Sequence, residues 1–167
     1  MKNKNFVISL ITFCILVIAS VFFVENENLE EKKDFNEKTS YEVTRVIDGD
    51  TIEVEGEYKV RLIGIDTPET VHPNKPVEFF GREASDKLKE MIEGKEVQLV
   101  SDPTQDDVDR YGRLLRYVYL DNVDINLEMI KQGYAFEYTY RVAYEKQEEY
   151  KQAQEFAKMN KLGLWKR

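Results

Sequence analysis

Cysteine is nearly missing from this chain, and the single one, Cys14, lies inside an uncharged N-terminal run. Everything after that run can therefore contain no disulfide. A positive charge balance is missing too: 24 basic residues face 32 acidic ones, a formal charge of -8. Residues 1–40 hold five of the lysines and six of the acidic residues, so the remainder still carries -7. A protein that tracks a long polyanion presents a basic surface, so this balance counts against an extended footprint and leaves room for a local positive site. Internal repeats are also absent, and 167 residues then point to one compact domain. With 42% hydrophobic residues, nine Phe and ten Tyr, the composition excludes general disorder and suffices for a core.

What is present begins with a polarised N-terminus. Lys2 and Lys4 precede an uncharged run from Phe6 to Val24, and acidic residues begin at Glu25. Nineteen uncharged residues can just span a bilayer, and the flanking charges predict a cytoplasmic N-terminus with an exported domain. A cut after Ser20 would suit a signal peptide, whereas the continued apolar run Val21 to Val24 suits a retained membrane anchor, so 1–24 is expected to be one or the other. Cys14 reads as a lipid-facing apolar residue. Residues 25–40, rich in Glu, Asn and Lys, read as a flexible tether, and 41–167 as the folded domain.

The domain is organised around Val46 to Thr70. Ile52 and Val54 alternate with Thr51 and Glu53, Gly56 marks a turn, and Val60 to Ile65 forms a second apolar run: a hairpin pattern. Folding back near Gly56 brings Asp50 beside Asp66, Thr67 and Glu69. Before it, Tyr41 to Ile47 reads as a strand with Val43, Arg45 and Ile47 on one side and Thr44 and Val46 on the other, followed by a turn at Asp48-Gly49. After it, His72-Pro73-Asn74-Lys75-Pro76 is too proline-rich for helix or sheet interior and predicts a loop at the mouth of the carboxylate cluster. Ala84, Leu88, Met91 and Ile92 make a helical stripe over 82–93, stopped by Gly94. Strands follow at 95–101 and 113–120, the latter with Tyr117 and Tyr119 on one face. A short helix at 127–131 has Asn126 as its expected N-cap, and a longer one at 141–160 carries Tyr150, Ala153 and Ala157 on one face. The expectation is an α+β chain: a five-stranded barrel with three helices, preceded by an N-terminal hydrophobic helix.

Five segments in order, VIDGDT, RLIGIDTPET, HPNKPVEFFGREAS, DRYGRLLRYVY and the terminal KLGLW, resemble the staphylococcal nuclease (thermonuclease) family over roughly Tyr41 to Trp165. The resemblance implies an OB-fold barrel with three helices. It also implies calcium-dependent hydrolysis of DNA and RNA, broken between phosphorus and the 5′ oxygen to leave 3′-phosphates. The chemistry suits these residue types: a phosphodiester anion repels a water nucleophile until hard cations and guanidinium groups neutralise it. Calcium takes oxygen ligands, and the resemblance supplies Asp50, Asp66 and the backbone carbonyl of Thr67, with Asp48 nearby. The alternative reading is that Asp48 caps its turn. Glu69 would orient or deprotonate the attacking water, and Arg61 and Arg113 would grip the phosphate as a forked pair. Arg61, mid-strand among apolar neighbours, needs an anionic partner in any case, which a structural salt bridge could also provide.

By the same resemblance Tyr111 contacts a terminal phosphate and Tyr138, with Tyr140, offers a ring for base stacking. Lys75 lies where the family's loop carries lysine, and His72, the one histidine, is a spectator. Two departures stand out. The domain is acidic where the best-known relatives are basic, and Arg110 stands where lysine is expected before Tyr111. Nothing calls for a protein partner, and a monomer acting outside the cytoplasm is expected, attached to the membrane if the N-terminal segment is uncleaved. The competing reading is a catalytically silent OB-fold barrel that binds nucleic acid or protein, against which stand Asp50, Asp66, Glu69, Arg61 and Arg113, all present.

Overall fold

The computed structural model describes residues 40–70 and 78–166. The expected N-terminal segment, most of the tether, His72 and Lys75 lie outside the described residues.

Strands β1 (Tyr41–Asp48), β2 (Thr51–Val54) and β3 (Tyr58–Leu62) form an antiparallel meander. A short strand β4 (Ile65–Asp66) and helix α1 (Gly81–Ile92) follow, then β5 (Glu96–Val100) and β6 (Leu114–Leu120). β5 pairs antiparallel with both β1 and β6, and β6 runs parallel to β3, so the sheet order β3-β2-β1-β5-β6 closes on itself as a five-stranded barrel. Strand β7 (Val123–Asp124), helix α2 (Ile125–Lys131), strand β8 (Phe136–Glu137) and helix α3 (Gln147–Met159) complete it, with β8 pairing β4. This is the expected OB-fold barrel with three helices. Val43, Ile52, Val54, Val60, Leu62 and Val118 fill its interior, and Leu88, Ile92, Met129 and Ile130 cover it from the helices, all fully buried. Burial of each such side chain contributes about 1.5–3 kcal/mol.

Four local expectations are corrected. In β1 the strict alternation fails: Arg45 is exposed and Val46 is buried, because register shifts between Val43 and Arg45 and between Val46 and Asp48 bulge the strand and switch its faces. The Val46 N–H is taken by the Glu93 carboxylate at the end of α1, at 2.8 Å. The second hairpin strand stops at Leu62 rather than Ile65, since Gly64 turns with φ 76°. A Cβ there would meet the Tyr144 ring at 2.6 Å, so the turn also depends on the absence of a side chain.

The helix N-cap is Asp124, whose carboxylate accepts the Leu127 N–H at 3.0 Å, while Asn126 lies inside α2, fully buried. The last helix begins at Gln147, not at 141. Residues 141–146 are held in another conformation by side chains of the 102–105 loop: Asp102 accepts the Glu145 N–H at 2.8 Å, and the Thr104 hydroxyl donates to the Ala143 carbonyl at 3.0 Å. Tyr150, Ala153 and Ala157 do face inward, as their spacing predicts.

Asn126 fastens α2 to the barrel. Its amide donates to the carbonyls of Ile63 (2.9 Å) and Arg116 (3.2 Å) and accepts the Val118 N–H (3.1 Å). Asn126→Ala leaves buried backbone groups short of partners, each costing about 1–3 kcal/mol. The expected loss is about 3 kcal/mol in urea unfolding at unchanged m; a loss below about 1 kcal/mol would show that these bonds are not what fastens the helix.

Candidate active site

The hairpin register sets the site. Thr51 lies opposite Arg61, and Leu62 N–H donates to the Asp50 carbonyl at 3.0 Å, so Asp50 stands at the end of β2 beside the chain leaving β3. Asp50 is almost fully buried. One of its oxygens accepts the Thr51 hydroxyl at 2.9 Å; the other accepts the Thr67 N–H at 3.1 Å and faces Arg61 Nη2, also at 3.1 Å. Arg61 Nη2 donates as well to Asp66 Oδ1 at 3.0 Å, while Nη1 donates to the carbonyls of Leu62 (2.9 Å) and Ile65 (2.8 Å). The mid-strand guanidinium thus finds its anionic partners inside the fold. Burial and the charge of Asp50 push the Asp66 carboxyl above the usual aspartate range, with Arg61 offsetting them only in part.

The loop after Asp66 is clamped at both ends. Asp48 Oδ1 accepts the Thr70 hydroxyl at 2.6 Å and the Gly49 N–H at 2.8 Å, the turn-capping role open to it from the sequence. At Gly49 a Cβ would lie 2.7 Å from Thr67 Oγ1, so the turn and the loop touch through a bare backbone. Glu69 N–H donates to Glu78 Oε2 at 3.2 Å, and Glu78 N–H returns a bond to the Glu69 carbonyl at 2.9 Å. Glu69 therefore sits on a fixed segment three residues beyond Asp66.

Arg113 arrives from the start of β6. Asp109 takes its Nε (2.8 Å) and Nη2 (2.7 Å) on one oxygen and its N–H (3.0 Å) on the other. Arg113 Nη1 donates to Thr51 Oγ1 at 3.3 Å, the hydroxyl that itself donates to Asp50. A polar chain thus runs Asp66–Arg61–Asp50–Thr51–Arg113. Of the five guanidinium N–H groups of Arg113, Asp109 takes two and Thr51 one, leaving two for a ligand. Asp109 and Thr51 were not singled out from the sequence. The i,i+4 spacing of Asp109 to Arg113 and the hairpin pairing of Thr51 with Arg61 were the available signals.

Both arginines line a groove of about 500 Å³ that is also bordered by Tyr111, Tyr138 and Tyr140. Tyr111 is 67% exposed, its hydroxyl accepting from Arg110 at 2.6 Å, and the rings of Tyr138 and Tyr140 stack at 6.4 Å. So the structure gathers Asp50, Arg61, Asp66, Thr67 and Arg113 at one end and sets Tyr111 and Tyr138 along the same groove.

Among the described residues no three acidic, histidine or cysteine side chains converge on one cation position. The available donor set is two carboxylates close enough to share one guanidinium, plus backbone and water oxygens. Oxygen donors of this kind suit a hard, oxygen-binding cation, so the residues fit calcium.

Fold and site together define an OB-fold barrel in which buried carboxylates are joined to a pair of arginines. A family model described as "Staphylococcal nuclease homologue" matches residues 59–167. The chain is 41% identical to the thermonuclease of Staphylococcus hyicus, covering 92% of this chain and 96% of that one. Against the thermonuclease of Staphylococcus intermedius it is 35% identical, covering 98% and 99%. Endonuclease YncB of Bacillus subtilis (strain 168) is 40% identical over 78% of this chain and 64% of its own length. The chain belongs to the staphylococcal nuclease family.

Burial opposes ionisation of Asp109, but the hydrogen bonds from the Arg113 backbone and guanidinium and from the Tyr111 N–H outweigh it and hold its carboxyl below the usual range. A carboxyl lowered in the folded state contributes stability that is present above its unfolded value of about 3.9 and is lost as pH falls through the folded value. NMR titration should place Asp109 below an ordinary aspartate, and Arg113→Ala should move it up. An unshifted midpoint in the unchanged protein would contradict the pairing.

Proposed function

We propose that this chain, a nuclease acting on nucleic acid, uses calcium to hydrolyse phosphodiester bonds of DNA and RNA, breaking the P–O5′ bond and leaving 3′-phosphates. The observation that carries this reading is the continuous polar chain from Asp66 through Arg61, Asp50 and Thr51 to Arg113, which couples a cation-binding pair to a phosphate-binding pair. Asp50, Asp66 and the Thr67 carbonyl would hold the cation. Bound there, calcium supplies Lewis-acid stabilisation of charge on the phosphate.

The protein groups do the rest. Glu69 orients the attacking water and takes its proton as the water oxygen bonds to phosphorus, and the 5′ oxygen leaves with the P–O electron pair and acquires a proton. Arg113, with two N–H groups unused among the described residues, and Arg61, whose Nη groups are spent on Asp50, Asp66 and two carbonyls so that its Nε–H is the one left, meet the phosphate oxygens as negative charge develops there. Asp109 keeps the Arg113 fork turned toward Thr51. Tyr111 and Tyr138 supply contacts along the strand, and Lys75, by its place in the sequence pattern, is proposed to meet the polyanion. The charge-flanked apolar run at 6–24 supports action outside the cytoplasm, by a domain at 41–167 that is tethered to the membrane or released.

Incubation of the full chain with DNA or RNA tests the reading. Cleavage should require calcium and stop with chelator. Removing one group that stabilises transition-state charge typically costs about 100-fold to 1,000-fold in rate. Arg113→Ala and Glu69→Gln are therefore each expected to lower kcat by about that much with folding intact, and Asp50→Asn to weaken calcium binding measured by calorimetry. Calcium-independent cleavage, or cleavage at full rate in both of the first two variants, would overturn the assignment. Because the domain carries net negative charge, binding to DNA should weaken steeply with salt and without calcium; tight, salt-insensitive binding in chelator would contradict this.

A further inference from the structure

Two basic residues of the groove have no role above: Arg110, whose guanidinium is bonded to the Tyr111 hydroxyl, and Arg141. Arg141 follows the stacked pair Tyr138 and Tyr140, lines the same groove as Arg61 and Arg113, and is exposed. Its guanidinium lies 5.0 Å from the centre of the Tyr140 ring, a cation–π contact that holds it ready rather than neutralising it. Arg45, Arg61, Arg113 and Arg116 each pair with a carboxylate. Among the described residues Arg141 has no such partner.

Its backbone is unusual as well. The Val142 N–H donates to the Tyr140 carbonyl at 2.7 Å, closing a three-residue turn around Arg141, whose φ is 63°. Such a γ-turn with positive φ at its centre is rare and strained, and glycine would occupy that φ without penalty. The turn is imposed by the neighbouring loop: Gln105 Nε2 donates to the carbonyls of Val142 and Ala143, both at 3.3 Å, and the Thr104 hydroxyl donates to Ala143 at 3.0 Å. Strain held by surrounding contacts is characteristic of ligand-gripping positions. A side-chain role would account for an arginine at a φ that favours glycine.

We infer that Arg141 is a substrate-binding residue that pairs with a second phosphate of a single strand, the one neighbouring the phosphate gripped by Arg61 and Arg113. Tyr140 beneath it fixes the guanidinium in place for that contact. The inference rests on the phosphodiesterase reading above. It predicts a residue that acts on affinity and salt dependence and not on the chemical step.

Rates of the full chain, Arg141→Gly and Arg141→Lys are to be compared with calcium over a salt series. The substrates are a short single-stranded oligonucleotide and a nucleoside nitrophenyl phosphodiester, which has a single phosphate. For Arg141→Gly on the oligonucleotide, KM should rise several-fold at unchanged kcat. The plot of log(kcat/KM) against log salt should become shallower by about 0.7, the single-strand value for one phosphate contact. The small diester should be unaffected, Arg141→Lys should recover most of the salt slope, and the Tm of the glycine variant should stay level or rise. An unchanged salt slope, an equal loss on both substrates, or a lowered Tm for Arg141→Gly would each overturn the assignment. If the unchanged chain cleaves neither substrate, the reading beneath it falls too; if it cleaves both and the variants match it, only the role of Arg141 falls.

Discussion

One guanidinium, that of Arg61, holds four separate points of the chain together: the carboxylates of Asp50 and Asp66 and the carbonyls of Leu62 and Ile65. Those points precede β2, end β3 and make up β4. Without this contact two nearby carboxylates would repel across a mostly buried gap, and the carbonyls exposed by the turn at Gly64 would lose a donor. Removing one member of a buried ion pair typically costs about 3–5 kcal/mol, because the remaining charge is left stranded. The same residue that answers to a phosphate in the proposed chemistry is therefore a structural tie in the protein alone. The two roles are compatible, since a cation on the carboxylates would supply from outside the charge that Arg61 supplies from within.

The sequence made the central hairpin legible because alternation over 51–54 and a glycine turn specify both pairing and register, and register alone brings Asp50 toward Asp66. The helical stripe of α1 and the inward residues of α3 were legible for the same reason: period determines which face is buried. What escaped were features determined by distant partners. The bulge in β1 inverts Arg45 and Val46, and nothing local in TRVID announces it. Residues 141–146 carry no helix breaker, yet Asp102 and Thr104, some forty positions earlier, bond their backbone and delay the helix to Gln147. Asn126 looked like a cap because Asn commonly is one, whereas its amide is spent on three backbone groups across the core.

In the candidate site the carboxylates and arginines were visible as residue types at suggestive spacings, and the resemblance assigned them roles. Their linkage was not visible. Thr51 reads as an ordinary strand residue until its hydroxyl is seen between Arg113 and Asp50, and Asp109 reads as one more acid in a run of acids. Charge composition hid the site in a different way. The domain is acidic overall, yet Arg61, Arg110, Arg113 and Arg141 all border one groove. An average over the chain is blind to such a local grouping, in which these arginines stand beside Asp66, Asp106 and Asp109.

The barrel is closed by a parallel seam in which Arg61 lies across from Leu115, two residues after Arg113. Its two strands belong to segments separated by α1 and β5, so Arg61 and Arg113 are brought together by a long-range pairing rather than by any local one. Pairings between residues so far apart in sequence carry the largest loop-closure cost and form slowly. A chain opened at that seam has one arginine without the other. If the two arginines act as proposed, closing the barrel is also what assembles the pair.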